Sequence, residues 1–162
     1  MCQSVAKTSL LKIVSGGQTG VDRAALDVAL QRGIECGGWC PAGRLDELGI
    51  IPELYPVKEL ENGGFKDRTR RNVKDSDGTV IIYFDELRGG SDQTAQFCVE
   101  QKRPHELINA ARIPAEQAGK RIADFVRVNQ IATLNVAGPR QSDWPEGYDY
   151  VFRALKISLG LL

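Results

Sequence analysis

Three short stretches of this chain follow an apolar run with glycine and small polar residues. They are Gly16-Gly17-Gln18-Thr19-Gly20 after "LKIVS", Gly89-Gly90-Ser91 with Thr94 beyond "TVIIYF", and Gly138-Pro139-Arg140 after "ATLNV". Where a strand turns sharply into a helix, the first helical N–H groups are free and carry the positive end of the helix dipole, so the turn attracts phosphate or carboxylate. Glycine at such a turn removes the Cβ that would hold a ligand away from the backbone. The chemistry offered is the binding of an anionic group. The spacing is neither GxGxxG nor a Walker sequence, so one turn by itself is equally a tight connection. Three of them at one sheet edge predict a ligand site, because open α/β sheets bind ligands beyond the carboxyl ends of their strands.

Basic side chains accompany these turns. Arg44 in "GWCPAGR" is expected at the same edge, and Arg88 and Arg140 flank the second and third turns; guanidinium forks suit phosphate. The cluster "KDRTRRNVKDSD" (66–77) reads as a solvated helix face, with Arg68 or Asn72 the members able to reach a ligand. Asp22 has two readings. It follows Thr19 by three residues, which approximates a helix-capping pattern; alternatively its carboxylate bonds a ribose or pterin donor, holds a metal-bound water, or acts as a general base. A flat ring would lie against the excursion near Trp39 and Tyr55.

Composition removes several function classes. Lys plus Arg and Asp plus Glu number 21 each, so no global field draws the chain to nucleic acid or an anionic membrane. No aromatic interleaving in the basic cluster supports nucleic-acid binding. Lys7 and Lys12 bracket the first apolar run, which feeds into the fold rather than forming a signal peptide, and no stretch is long enough to span a bilayer. Cys2, Cys36, Cys40 and Cys98 are too scattered for a disulfide framework, which fits a reduced, cytoplasmic protein. With His105 the single histidine, a zinc site lacks ligands and no GxSxG supports a triad.

The elements that must position these turns alternate. Strands are expected at 11–15, 35–39, 79–84, 105–109 and 132–136, and helices at 20–32, 65–75, 92–102, 114–129 and 146–158. Val21, Ala24, Ala25, Val28 and Ala29 form a narrow stripe suited to lying close on a sheet, and Ala115, Ala118, Ile122, Phe125 and Val126 keep a similar period. Residues 41–64, with three prolines, predict an irregular excursion. The whole of 1–162 reads as one α/β domain on a mostly parallel sheet of about five or more strands.

In order along residues 12–150, "SGGQTGVDRAALDVAL", "GWCPAGR", "RTRRNV", "SDGTVIIYF" and "LNVAGPR" resemble the proposed molybdenum cofactor carrier proteins. These are similar to circularly permuted YpsA, within the SLOG and lysine-decarboxylase-like Rossmannoid superfamily. The resemblance implies a three-layer Rossmann-like sandwich, a homo-oligomer, and binding residues Gly16, Gly17, Gln18, Thr19, Gly20, Asp22, Arg44, Arg68, Gly89, Gly90, Ser91 and Thr94, with Gly138 and Arg140 as a further set. It implies molybdenum cofactor or a nucleotide as ligand, with Mg²⁺ a companion ion and molybdoenzymes as acceptors of the cofactor. Related phosphoribohydrolases carry a PGGxGTxxE-type segment; here "GGSDQTAQF" has an extra residue before the threonine and Phe97 in the place of the acid, with Glu100 one turn on.

Three readings follow. In the first, the protein carries a phosphorylated cofactor without turning it over. In the second, it hydrolyses a nucleotide with Asp22, or another acid such as Asp92, as the activating carboxylate. In the third, it is an interaction module that takes no small ligand.

Overall fold

The structure, a computed structural model, describes residues 8–162; Cys2 and Lys7 lie outside them. The chain opens with β1 (Lys12–Val14), α1 (Val21–Arg32) and β2 (Glu35–Gly37). Four two-residue strands follow, β3 (Trp39–Cys40), β4 (Leu45–Asp46), β5 (Gly49–Ile50) and β6 (Lys58–Glu59). The remainder alternates as α2 (Phe65–Lys74), β7 (Gly78–Tyr83), α3 (Gly89–Glu100), β8 (His105–Asn109), α4 (Ala115–Val128), β9 (Thr133–Ala137) and α5 (Gly147–Leu161).

Five strands pair in parallel in the order β2-β1-β9-β7-β8. The side chains of β7 divide between two layers by strand alternation. Val80 and Ile82 join the large core with Ile13, Leu134 and Val136 beneath α1, α4 and α5, while α3 packs on β7 from the other side beside α2. There Val73, Phe97 and Cys98 make a smaller core. The result is the three-layer Rossmann-like sandwich expected.

Small residues set how close the layers lie. Val21, Ala24, Ala25, Val28 and Ala29 are all fully buried, so α1 sits directly on the sheet. At Gly119 an added Cβ would lie 2.7 Å from Ile157 and 2.8 Å from the Ala154 carbonyl, so α4 and α5 touch along their backbones. Ser158 Oγ bonds the Gly119 carbonyl at the same crossing.

The strand expected over 35–39 ends at Gly37. Gly38 adopts φ +125°, and a Cβ there would lie 2.1 Å from the Ser15 carbonyl, so the chain bends out of the sheet and β3 pairs with β6 instead. Within the irregular 41–64 stretch, β4 and β5 form an antiparallel hairpin with Leu45 opposite Ile50. The helix expected from 92 begins at Gly89, which brings both glycines into the helix's first turn. No helix among the described residues is long and apolar enough to cross a membrane.

Candidate functional site

The connection from β1 leads through α1 to one edge of the sheet, that from β7 through α3 to the other, and β9 enters between them. Strand order therefore reverses at β9, and the turns after β1, β9 and β7 meet at one end of the sheet. A cleft of about 820 Å³ opens there. Of the residues expected at the site, Gln18, Arg68, Gly89, Gly90, Ser91, Gly138 and Arg140 line it, whereas Gly16, Gly17, Thr19, Gly20, Asp22, Arg44 and Thr94 do not.

The first turn is filled by the protein itself. A Cβ on Gly16 would lie 1.8 Å from Arg68 Nη1, because the guanidinium occupies that space. At Gly20, with φ +80°, a Cβ would meet Gln141 N at 2.8 Å and the Pro139 carbonyl at 2.9 Å. The Val21 N–H at the start of α1 points to the same Pro139 carbonyl, 3.4 Å away. Ser15 Oγ accepts from the Gly17 N–H, Arg23 donates to the Gly17 carbonyl, and Asp22 accepts from the Gln18 N–H at 3.3 Å. Room that the sequence suggests for an anion is taken by side chains and by the 139–141 turn.

The opening of α3 is the reverse. Arg88 is extended and precedes the helix, so Gly89, Gly90 and Ser91 occupy its first turn, where N–H groups have no carbonyl four residues back. A Cβ at Gly89 or Gly90 would meet nothing within 4 Å. Thr94 stands one turn behind, its hydroxyl donating to the Gly90 carbonyl at 2.7 Å, so it braces the turn without facing the cleft. Gly138 is needed for packing as well as lining, since a Cβ there would lie 2.3 Å from the Ile82 carbonyl.

Asp22 does not cap α1: that helix starts after Gly20 with no side-chain hydrogen bond at its cap. Its carboxylate, almost wholly buried, reaches back to the glycine turn and forward to Arg68, 3.5 Å away. Burial pushes its pKa above the ordinary value, against the opposing pull of Arg68, the Gln18 and Gly16 N–H groups and Arg23.

Several other expectations are corrected by the geometry. Arg44 leaves the site because the chain bends at Gly38. Its guanidinium donates to the carbonyls of Val57 at 2.7 Å, Pro52 at 3.0 Å and Tyr55 at 3.1 Å, so it organises the excursion. Asn72 brackets the Trp39 backbone, accepting from its N–H at 2.7 Å and donating to its carbonyl at 2.9 Å. Trp39 lies under Arg71 and bonds Asp75, and the Tyr55 hydroxyl bonds Asp27. Burial and Asp27 together push the Tyr55 hydroxyl up to about 12. Neither ring faces the cleft.

The rings that do are Phe65 at the start of α2, Phe84 after β7, and Trp144. Phe65 and Phe84 are exposed, whereas Trp144 is buried and stacks obliquely on Phe84, with ring centroids 5.9 Å apart. Two cations also line the cleft, Lys66 and Arg88, and neither forms an ion pair among the described residues. The available signal was position: Phe84 directly follows the most apolar strand, and Trp144 follows Gly138 by one short turn.

Glu47 joins the hairpin to the rim. It accepts from Thr19 Oγ1 and from both the N–H and hydroxyl of Ser142, while Gln18 Oε1 takes the N–H groups of Thr19 and Glu47. Burial works to raise the Glu47 pKa, and the bonds from Ser142 and Thr19 outweigh it, leaving it below the ordinary value. None of Cys36, Cys40 and Cys98 lines the cleft, and the described residues contain no group of three or more His, Cys, Asp or Glu arranged to hold a metal. Phe97, in the place of the acid, is buried in the small core, and Asp92 does not line the cleft; the carboxylates that do are Asp85, Glu86 and Asp143.

Comparison with other proteins agrees with this architecture. No curated protein matches the chain. A crystal structure of a proposed molybdenum carrier protein from Syntrophus aciditrophicus SB is similar, with a TM-score of 0.92 and 44% sequence identity over 94% of this chain and 97% of that one. Residues 13–159, which include every turn around the cleft, match the family described as circularly permutated YpsA of the SLOG group, and the chain belongs to that family.

Proposed function

We propose that the protein holds a phosphorylated cofactor or nucleotide in the cleft and acts in the cytoplasm, as one domain, as a molybdenum cofactor carrier. The observation that carries this is the opening of α3. Its first-turn glycines leave open space beside a cleft of about 820 Å³, large enough for a nucleotide-sized molecule, with Arg68, Arg88, Arg140 and Lys66 around it. Phosphate would lie on the N–H groups of Gly89, Gly90 and Ser91, and a pterin or base against the exposed rings of Phe65 and Phe84. The likeness to a molybdenum carrier protein supports the cofactor as cargo. A pterin cofactor brings its own sulfur ligands for the metal, so a cleft lined by none of the described cysteines is compatible with that cargo.

The exposed side chains of Leu45, Leu48 and Ile50 on the hairpin, and of Leu54 just beyond it, support self-association, and transfer to molybdoenzymes completes the carrier reading. Hydrolysis through Asp22 has less support, because that carboxylate stands behind Arg68 and off the cleft wall.

The test is thermal stability against molybdenum cofactor, nucleotides and phosphoribosylated compounds, each with and without Mg²⁺. A ligand at about 100 times its Kd should stabilise by about 2.7 kcal/mol. A shift with one class that Gly90→Val removes supports the reading, and intact recovery of the compound supports carriage. Conversion to product would make the protein an enzyme. No shift with any of them overturns the proposal.

A further inference from the structure

Arg68 is under-used by the protein. Its side chain is 14% exposed and lines the cleft, its Nε is buried without a hydrogen-bond partner, and its charged partner is Asp22 at 3.5 Å. A guanidinium has five N–H donors, so an acceptor arriving in the cleft finds several free. Gly16 makes this arrangement available, since any Cβ there would collide with Nη1.

Asp22, in turn, depends on Arg68. From α2 it faces Arg68; from its own helix it faces Arg23, whose Nη2 is already shared between Asp46 at 2.7 Å and the Gly17 carbonyl at 3.0 Å. From the glycine turn it faces the N–H groups of Gln18 and Gly16, which carry no titratable charge. With 3% of the residue exposed, water does little to stabilise the carboxylate.

We propose that an anionic group entering the cleft draws Arg68 away from Asp22 electrostatically, and that the Asp22 carboxylate takes up one proton from solvent as the anion binds. This rests on the anion-binding reading above and adds a coupling to it. The dianion engages Arg68, the buried carboxylate loses the charge that offset its desolvation, and a proton on Oδ2 restores neutrality behind the glycine turn. Binding strengthens as pH falls, and a rise in pH favours release. Burial already places Asp22 above the ordinary carboxylate pKa, and loss of the Arg68 charge moves it further in that direction.

The probe is inorganic sulfate, a dianion with no exchangeable proton near neutral pH. Binding is followed by tryptophan fluorescence, to which Trp144 in the cleft and Trp39 outside it both contribute, from about pH 5 to pH 8, and by calorimetry in two buffers of different ionisation enthalpy. The wild-type protein should bind sulfate with an affinity that rises as pH falls, by up to about tenfold per pH unit, with net uptake approaching one proton per site. Asp22→Asn should bind without proton uptake and at least as tightly at the alkaline end. Sulfate binding without uptake in the wild type overturns the coupling and leaves the cleft as an anion site. Uptake that persists in Asp22→Asn overturns the assignment to Asp22. No saturable sulfate binding in either protein overturns the anion-binding reading, and the coupling with it. The wild-type calorimetry stands even if the variant fails to fold.

Discussion

Gly16–Gly20 and Gly89–Ser91 both carry a parallel strand toward a helix through adjacent glycines, and the protein uses them in opposite ways. In the first turn the missing Cβ atoms make space for Arg68 and for the 139–141 backbone, and nearly every polar group of the turn is bonded within the chain. In the second, nothing lies within 4 Å of where a Cβ would be at Gly89 or Gly90, and the helix start faces the cleft. A glycine-rich turn is thus a statement that something comes close to the backbone. Whether that something is ligand or protein depends on what the rest of the chain delivers there.

Substitution should separate the two turns sharply. Gly20→Ala combines a backbone conformation open almost only to glycine with a collision against backbone atoms of 139–141, which cannot swing aside. A loss of about 3 kcal/mol is expected in urea denaturation. A loss under about 1 kcal/mol would mean that the 139–141 turn yields and that the first turn is not rigidly filled.

Arg68→Met tests the filling side chain. It leaves the Asp22 carboxylate buried without its main counter-charge, at a cost of about 3 kcal/mol where Asp22 is ionised. The sign follows from linkage. The folded-state pKa of Asp22 is raised, so its contribution to stability is fully present below the unfolded value and is lost as pH rises through the folded one. Removing Arg68 raises the folded value further, so the deficit relative to wild type should grow with pH. A deficit in thermal melts that is constant with pH would show that Arg68 contributes packing alone.

The smallest effect on stability is expected at the second turn. Gly90→Ala puts a methyl group into open space within a helix and removes glycine's backbone entropy cost, so stability should stay level or rise by up to about 1 kcal/mol. The ligand-induced shift should fall in the same protein. Unchanged ligand stabilisation would place the bound group away from α3.

Much of this was readable from residue order. The small stripe Val21, Ala24, Ala25, Val28, Ala29 told that α1 lies close on a sheet, and it is fully buried. Apolar runs marked the central strands β1, β7 and β9, because a strand covered by helices on both faces has no polar side to disguise it, whereas the edge strands β2 and β8, "ECG" and "HELIN", carry polar residues and little apolar signal. Arg44 misled because the sequence places it after a strand, whereas Gly38 takes the chain out of the sheet before it arrives. Trp39 and Tyr55 misled for the same reason, Phe65 carried no mark distinguishing a cleft ring from a core ring, and Phe84 and Trp144 carried only their position behind a strand end and a glycine turn.

The sequence by itself determined the alternation of strands and helices and the glycine-rich turns that follow three of the strands, and the order of its motifs carried the family resemblance. Those are local properties, set by periodicity and by glycine's missing side chain. The tertiary structure alone decided which turn is filled and which is open, and that Asp22 faces Arg68 instead of the cleft. These depend on a guanidinium brought from α2, more than forty residues away in the chain, and the distance it crosses is set by packing rather than by any neighbouring residue.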